Sequence, residues 1–292
     1  MVGKPYNLAL SRRTGNVVIP VTGGKVVLKR YRDHLQSDGI QYIHSILARL
    51  FELSFPAPKL IPASSGEDFI SAQSGRYAVF EFVNGRNHSL DYIFSSDRYK
   101  LIHASGKILA TYHKVLNGFQ PKGTHHLGFL SYTGGWQRDS IWFTNKAHEL
   151  IEKSSAISNN EEKTIADFLI EHSEKILDDF KRLDEKLQNA HLLRTIVHGD
   201  FGLHNLIFKK DGKIILTDYE TTRLEWRLSD LVITLSRSRS PETMVHFETI
   251  RQFLLGYQDV YPIPAQEWQY LPDVWQFIKL RSIFISWNLY FE

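Results

Sequence analysis

The sequence predicts an α+β chain in two lobes: an N-terminal antiparallel sheet with one helix over residues 1–85, and a mainly helical C-terminal lobe over 86–292. Three observations predict it. β-rich runs separated by glycine-containing turns fill the first 85 or so residues. Apolar residues at helical spacing dominate after Asn84. One polar segment, from His198 to Asp218, is framed and divided by short apolar runs of strand length.

In chain order, Leu8-Ala9-Leu10, Val17 to Val21 and Val26 to Tyr31 are separated by Arg13-Thr14-Gly15-Asn16 and Thr22-Gly23-Gly24, which predicts an antiparallel meander. Ile40, Ile43, Ile46, Leu47, Leu50 and Leu53 then recur with helical period, and Pro56 and Pro58 close that helix. Asp68 to Ala72 and Tyr77 to Val83 flank the turn Gln73-Ser74-Gly75-Arg76 and read as two further strands. Beyond Asn84, apolar stripes from Leu101 to Leu116 and from Ile165 to Leu183 predict two long helices. Asp230 opens the helix-forming run Leu231 to Leu235. Helices follow near Thr243 to Tyr257 and Trp268 to Tyr290, divided by Tyr261-Pro262-Ile263-Pro264.

The composition bounds the function classes. With 292 residues, 42% of them hydrophobic, the chain can bury a sizeable core as one large domain or two lobes. It has no cysteine, which excludes disulfides and thiolate zinc sites. Its 35 basic residues are scattered among 32 acidic ones, so the net charge of +3 gives no footprint for nucleic-acid binding. The start of the chain lacks an apolar core of signal-peptide length, and the apolar stretch Phe277 to Phe291 is interrupted by Lys279 and Arg281. The expectation is a soluble cytoplasmic protein with neither nucleic-acid nor membrane partners.

The chemistry is concentrated between Ile196 and Asp218. Asp200 and Asn205 are separated by four residues, the spacing of a phosphoryl-transfer loop in which the Asp accepts the acceptor's hydroxyl proton and the Asn oxygen holds magnesium. Asp211-Gly212 supplies a hairpin turn between Leu206-Ile207-Phe208 and Ile214-Ile215-Leu216. Asp218 ends the second run, where a strand delivers a carboxylate to the metal. Singly, such residues are common in turns, and His198 alone reads equally well as a hydrogen-bonded core histidine.

These residues resemble the aminoglycoside phosphotransferase and choline kinase-like family, whose catalytic loop reads His-Gly-Asp-x-x-x-x-Asn and whose metal-binding turn often reads Asp-Phe-Glu. Here they are His198-Gly199-Asp200-Phe201-Gly202-Leu203-His204-Asn205 and Asp218-Tyr219-Glu220. The stretch Leu109 to Phe119 is similar to the branch that includes spore-coat-associated kinase-like proteins and homoserine kinase-like enzymes. The resemblance implies a bilobal protein-kinase-like fold that uses ATP and Mg2+, with Asp200 as catalytic base and Asn205 and Asp218 on the metal. Glu220, two residues beyond Asp218, extends to the same side of a strand-like backbone and is a candidate to hold a second magnesium; the alternative is a solvated turn residue. The resemblance also implies that Lys29 grips the α and β phosphates. Lys29 shares a strand face with Val27 and Tyr31; the alternative is an exposed strand lysine beside Arg30 and Arg32. Ser11 to Asn16 would turn over the phosphates. Phe80 to Gly85 resembles the segment joining the lobes, so the carbonyl of Glu81 and the amide of Val83 are the expected adenine contacts. By the same resemblance Asp230 is a structural brace of the catalytic loop.

Two departures bear on function. Gly199 stands where protein kinases carry an arginine that reads a phosphorylated activation loop, which points away from protein substrates. The first helix lacks an early Glu to pair with Lys29; it reads Gln41-Tyr42-Ile43-His44, and Glu52 lies three turns too late. Gln41 and His44 are the candidate neutral partners. Tyr132, Trp136, Trp142, Trp226 and Arg227 are candidates to line the acceptor site, although aromatic side chains more often serve packing. No acidic run offers a polycationic aminoglycoside a carboxylate cluster. The sequence therefore reads as an ATP- and Mg2+-dependent phosphotransferase acting on a hydroxyl of a small molecule, such as an amino alcohol, sugar or aminoglycoside-like metabolite. The alternative is a nucleotide-binding scaffold with little turnover. Oligomeric state leaves no trace in the sequence.

Overall fold

A computed structural model describes residues 6–7, 15–33, 35–87, 97–124, 140–157, 160–237 and 247–290. The elements in order are β1 (Tyr6–Asn7), β2 (Val17–Val21), β3 (Gly24–Arg30), α1 (Ser37–Glu52), β4 (Leu60–Ile61), β5 (Ile70–Ala72), β6 (Gly75–Glu81), β7 (Arg86–Asn87) and α2 (Arg98–Val115). There follow α3 (Ser140–Ser155), α4 (Asn160–Gln188), β8 (Arg194–Val197), β9 (Leu206–Phe208), β10 (Ile214–Leu216), β11 (Arg223–Trp226), α5 (Arg227–Arg237), α6 (Phe247–Gln258), α7 (Ala265–Trp268) and α8 (Leu271–Tyr290). The fold is α+β, an antiparallel N-terminal sheet with one helix followed by a mostly helical remainder.

The chain packs as two compact units, one of Met1–His126, Asp200–Thr222 and Ser238–Pro262, the other of Leu127–Gly199, Arg223–Arg237 and Ile263–Glu292. In the first unit the large sheet runs β1-β2-β3-β6-β4, with β5 also on β6, and every pairing is antiparallel. The Lys29 position pairs with Ala78 across β3 and β6. α1 buries Ile40, Ile43, Ile46, Leu47 and Leu50, the stripe that its period predicts. It ends before Pro56, with Ser54 in the left-handed region and the Phe55 amide donating to the Leu50 carbonyl at 2.8 Å. β4 was not legible in the sequence because two residues carry no period; it forms by pairing Leu60 and Ile61 with Phe80 and Val79.

α2 crosses α6 so closely that a Cβ on Gly106 would collide with the Phe253 carbonyl oxygen, and one on Gly256 with the His103 carbonyl oxygen. Glycine at both positions therefore lets two backbones touch, and the buried pair His113 Nδ1 and Tyr257 Oη, 2.8 Å apart, fixes their register. The strands predicted around Asp211-Gly212 form β9 and β10, with Leu206 opposite Leu216, Gly212 at φ +82°, and the Lys209 amide donating to the Lys213 carbonyl.

The second unit is built on α3, α4, α5 and α8 with the two-stranded sheet β8–β11. Phe180 of α4 stacks on Phe277 of α8 with centroids 4.6 Å apart, and Trp226 meets the same ring edge-on at 5.5 Å. Fully buried Glu225 lies between Arg223 at 2.6 Å and Arg281 at 2.9 Å. Burial alone would raise its carboxyl pKa, but the two guanidiniums outweigh that and hold it below the ordinary value. Among the described residues no helix is long and apolar enough to cross a membrane.

Candidate active site

The catalytic-loop sequence begins where β8 ends. In the second unit, the Asp230 carboxylate on α5 accepts the His198 amide at 2.6 Å and the Gly199 amide at 2.7 Å, and Asp230 is fully buried. This is the brace expected of it. Gly199 has φ +78°, a left-handed conformation that a side chain strains, so glycine here lets the chain turn out of the strand.

In the first unit the Asn205 side-chain nitrogen donates to the Asp200 carbonyl at 2.9 Å and to Asp200 Oδ2 at 3.0 Å. Both donors of that amide face Asp200, which leaves its oxygen as the atom able to meet a cation. His204 Nε2 lies 3.4 Å from the same Asp200 Oδ2. The Asn87 side chain on β7 donates to the His204 carbonyl and so ties β7 to the loop, a contact that no sequence signal announced. Thr217 donates through its amide and its hydroxyl to the Asn205 carbonyl, at 2.9 and 3.0 Å, which brings the end of β10 against the loop. The next residue, Asp218, is left-handed with φ +65°, a conformation that Asp tolerates better than most residues and that recurs at functional sites.

Lys29 meets this turn. Its Nζ lies 3.1 Å from Asp218 Oδ1 and 2.8 Å from Glu220 Oε1, and Arg32 Nε approaches Glu220 Oε2 at 3.6 Å. Burial alone would lower the Lys29 pKa, but the Asp218 and Glu220 carboxylates outweigh it and hold the ammonium above its ordinary value. Nζ also sits 5.7 Å from the centre of the Tyr31 ring, as residues two apart on a strand should. Arg30 is engaged elsewhere, by the Ser74 carbonyl at 3.0 Å and Asp33 at 2.8 Å. Lys29 is therefore not the exposed strand lysine of the alternative reading.

The neutral helix partners proposed for Lys29 do not take that place. His44 Nε2 is 2.7 Å from the Tyr31 hydroxyl, and both residues are buried. Burial and then the nearby Lys29 charge push the His44 pKa down to about 4, so the ring is neutral near pH 7. Gln41 is exposed. A solvated face and a competing hydroxyl explain the two corrections.

Glu81 is the last residue of β6, and its side chain accepts the Lys59 amide at 3.1 Å while its own amide donates to the Lys59 carbonyl at 2.9 Å. Val83 follows in the segment between β6 and β7 and is half-buried. Of the turn Ser11 to Asn16, Gly15 and Asn16 lead into β2 and the rest lies outside the described residues. Tyr132 and Trp136 also lie outside them, as does the side chain of Trp142 on α3. Trp226 and Arg227 are corrected: both are buried, Trp226 against Phe277 and Arg227 on Glu267, with Nε 2.9 Å from Oε1. Their apolar and ionic partners are distant in sequence, which is why an acceptor-lining role looked open to them.

The donors near the turn are all oxygens, from Asp218, Glu220 and the Asn205 amide, and hard oxygen donors suit magnesium. Among the described residues no group of three or more His, Cys, Asp or Glu is arranged to cage a metal. Magnesium in nucleotide sites is commonly held by one or two carboxylates together with phosphate oxygens, so this sparse set fits it.

Residues 9–266 match the model of the phosphotransferase enzyme family. Among solved structures, an aminoglycoside phosphotransferase from Alicyclobacillus acidocaldarius superposes with a TM-score of 0.63 at 14% identity, covering 96% of this chain and 81% of that one. The microcompartment-associated aminopropanol kinase gives 0.61 at 16% identity, with coverages of 97% and 88%. A choline kinase from Streptococcus pneumoniae gives 0.58 at 14%, with coverages of 98% and 86%. At these identities the likeness establishes the fold. No curated protein matched the chain.

Proposed function

The chain belongs to the phosphotransferase enzyme family, and we propose that it transfers the γ-phosphoryl group of ATP, with magnesium, to a hydroxyl of a small molecule. The observation that carries the reading is one connected set of contacts within the first unit. Asp200 is bonded to Asn205, Asn205 to Thr217, and the next residue, Asp218, to Lys29. The contacts support the reading because the residues proposed as base, metal donors and phosphate cation come from segments nearly 190 residues apart in sequence.

In this reading Asp200 orients the acceptor hydroxyl and takes its proton as the oxygen attacks the γ-phosphorus, while the bond from that phosphorus to the β–γ bridging oxygen breaks and ADP leaves. Asn205 presents its amide oxygen and Asp218 its half-exposed carboxylate to Mg2+, with Glu220 completing the acidic turn. Magnesium, when bound, offsets the charge of the β and γ phosphates. Lys29 supplies the protein's positive charge to the α and β phosphates, and the Glu81 carbonyl and Val83 amide read the adenine edge. Residues 1–85 serve as the nucleotide-binding lobe and 86–292 as the catalytic and acceptor lobe.

Relatives named for aminopropanol and choline make amino alcohols a leading acceptor class, beside sugars and aminoglycoside-like metabolites. We place the reaction in the cytoplasm, where ATP is supplied. A second reading, a nucleotide-binding scaffold with little turnover, draws on α1, whose two acids, Asp38 and Glu52, are bonded to groups other than Lys29. The test is phosphorus NMR of the protein with magnesium-ATP and pooled hydroxyl compounds. A new phosphate-ester resonance supports the enzyme; tight ATP binding with no product from a broad pool favours the scaffold.

A further inference from the structure

We infer that Glu220 is the residue that positions Lys29, taking the part that a carboxylate on the first helix plays in protein kinases, where the strand lysine must be paired to hold the phosphates. The inference rests on the nucleotide reading above. It assigns Glu220 to the lysine rather than to a second magnesium ion.

α1 has two acids, and neither serves Lys29. Asp38 Oδ2 accepts the Thr124 amide at 2.8 Å. Glu52, at the last residue of the helix, is exposed and pairs with Arg49 at 3.3 Å. His44, the helix residue that comes up to the strand, is bonded to Tyr31 and neutral. Among the described residues two carboxylates lie within reach of Nζ, and they differ in setting. The Asp218 side chain is 44% exposed, open to an incoming cation. The Glu220 side chain is 11% exposed and lies between two cations, Lys29 at 2.8 Å and Arg32 at 3.6 Å. A dication on Glu220 would have to displace Lys29 from a shielded ion pair, whereas a dication on Asp218 leaves Lys29 its nearer partner.

The backbone supports the division. Tyr219, between the two acids, is buried, touches Tyr112 with ring centres 6.2 Å apart, and donates its hydroxyl to the Leu216 carbonyl at 3.0 Å. That anchor makes Asp218-Tyr219-Glu220 a fixed turn, so Glu220 can hold Lys29 in place as a helix carboxylate would.

The test separates a lysine-positioning residue from a metal ligand by measuring ADP affinity calorimetrically, in EDTA and in magnesium, for wild type, Glu220→Gln, Lys29→Gln and the double variant. If Glu220 acts through Lys29, Glu220→Gln weakens ADP about tenfold even in EDTA, and adds nothing further in the Lys29→Gln background. Unchanged affinity in EDTA with a loss only in magnesium would overturn the assignment, as would losses that add in the double variant. Circular dichroism checks folding; if Glu220→Gln does not fold, Glu220→Asp carries the same cycle, retaining charge with a shorter reach and a smaller loss. Wild type that binds ADP in neither buffer would overturn the nucleotide reading and this assignment together, whereas the outcomes above overturn this assignment alone.

Discussion

The Asn205 side-chain nitrogen lies 3.0 Å from Asp200 Oδ2, so one oxygen of the proposed base is already engaged by the proposed metal ligand. Asn205 thereby helps to fix the orientation of that carboxylate. Asp200→Asn keeps the size of the side chain and an oxygen to accept that bond, but removes the proton acceptor. Nucleotide binding should survive while phosphoryl transfer falls by roughly 10² to 10⁴. Calorimetry with ATP and product formation by phosphorus NMR, run side by side, check it; full activity in the variant would remove Asp200 from the base role.

Magnesium-ATP should raise the melting temperature of the wild type, and Asp218→Ala should abolish most of that shift. A ligand that binds only the folded state stabilises it by about 2.7 kcal/mol at a hundredfold excess over its dissociation constant. Thermal melts with and without magnesium-ATP give the answer. An undiminished shift in the variant would remove Asp218 from the metal site.

Lys29→Ala should weaken ATP binding and transfer, and Arg30→Ala should do so much less. The two residues bond to different groups, Lys29 to the acidic turn and Arg30 to Ser74 and Asp33. ATP titrations of both variants decide it. A greater loss in Arg30→Ala would mean that the phosphates lie on the other face of β3.

Asp230→Ala should lower stability by roughly 2–5 kcal/mol, because it leaves the His198 and Gly199 amides without their buried carboxylate. Urea denaturation of both proteins measures the difference. A midpoint within error of wild type would show that the loop holds without the brace.

The Tyr31–His44 pair predicts an acid-sensitive fold. The His44 pKa is about 4 when folded against 6.5 ordinarily, so the unfolded chain binds the extra proton between those values. This contribution to stability is fully present above pH 6.5, declines as pH falls, and is gone below about 4; its size is about 3 kcal/mol. His44→Gln, which still offers Tyr31 a hydrogen-bonding partner, should flatten the stability profile across that window. An unchanged slope from denaturation at pH 4, 5, 6 and 7 would show that His44 is not its source.

The sequence by itself determined the elements whose signal is local. The stripe from Ile40 to Leu50 gave α1, Asp211-Gly212 gave the hairpin before Asp218, and the spacing of Asp200, Asn205 and Asp218 marked the family's loop, because period, turn chemistry and motif are written in adjacent residues. Strand alternation likewise separated Lys29 from Arg30. What only the tertiary structure decided is who meets whom. That Lys29 pairs with Glu220 while His44 turns to Tyr31, that Trp226 and Arg227 are buried on Phe277 and Glu267, and that Asn87 holds the His204 carbonyl are all long-range choices. Each is settled by which groups lose water together and must find partners there, a condition that no local stretch of sequence records.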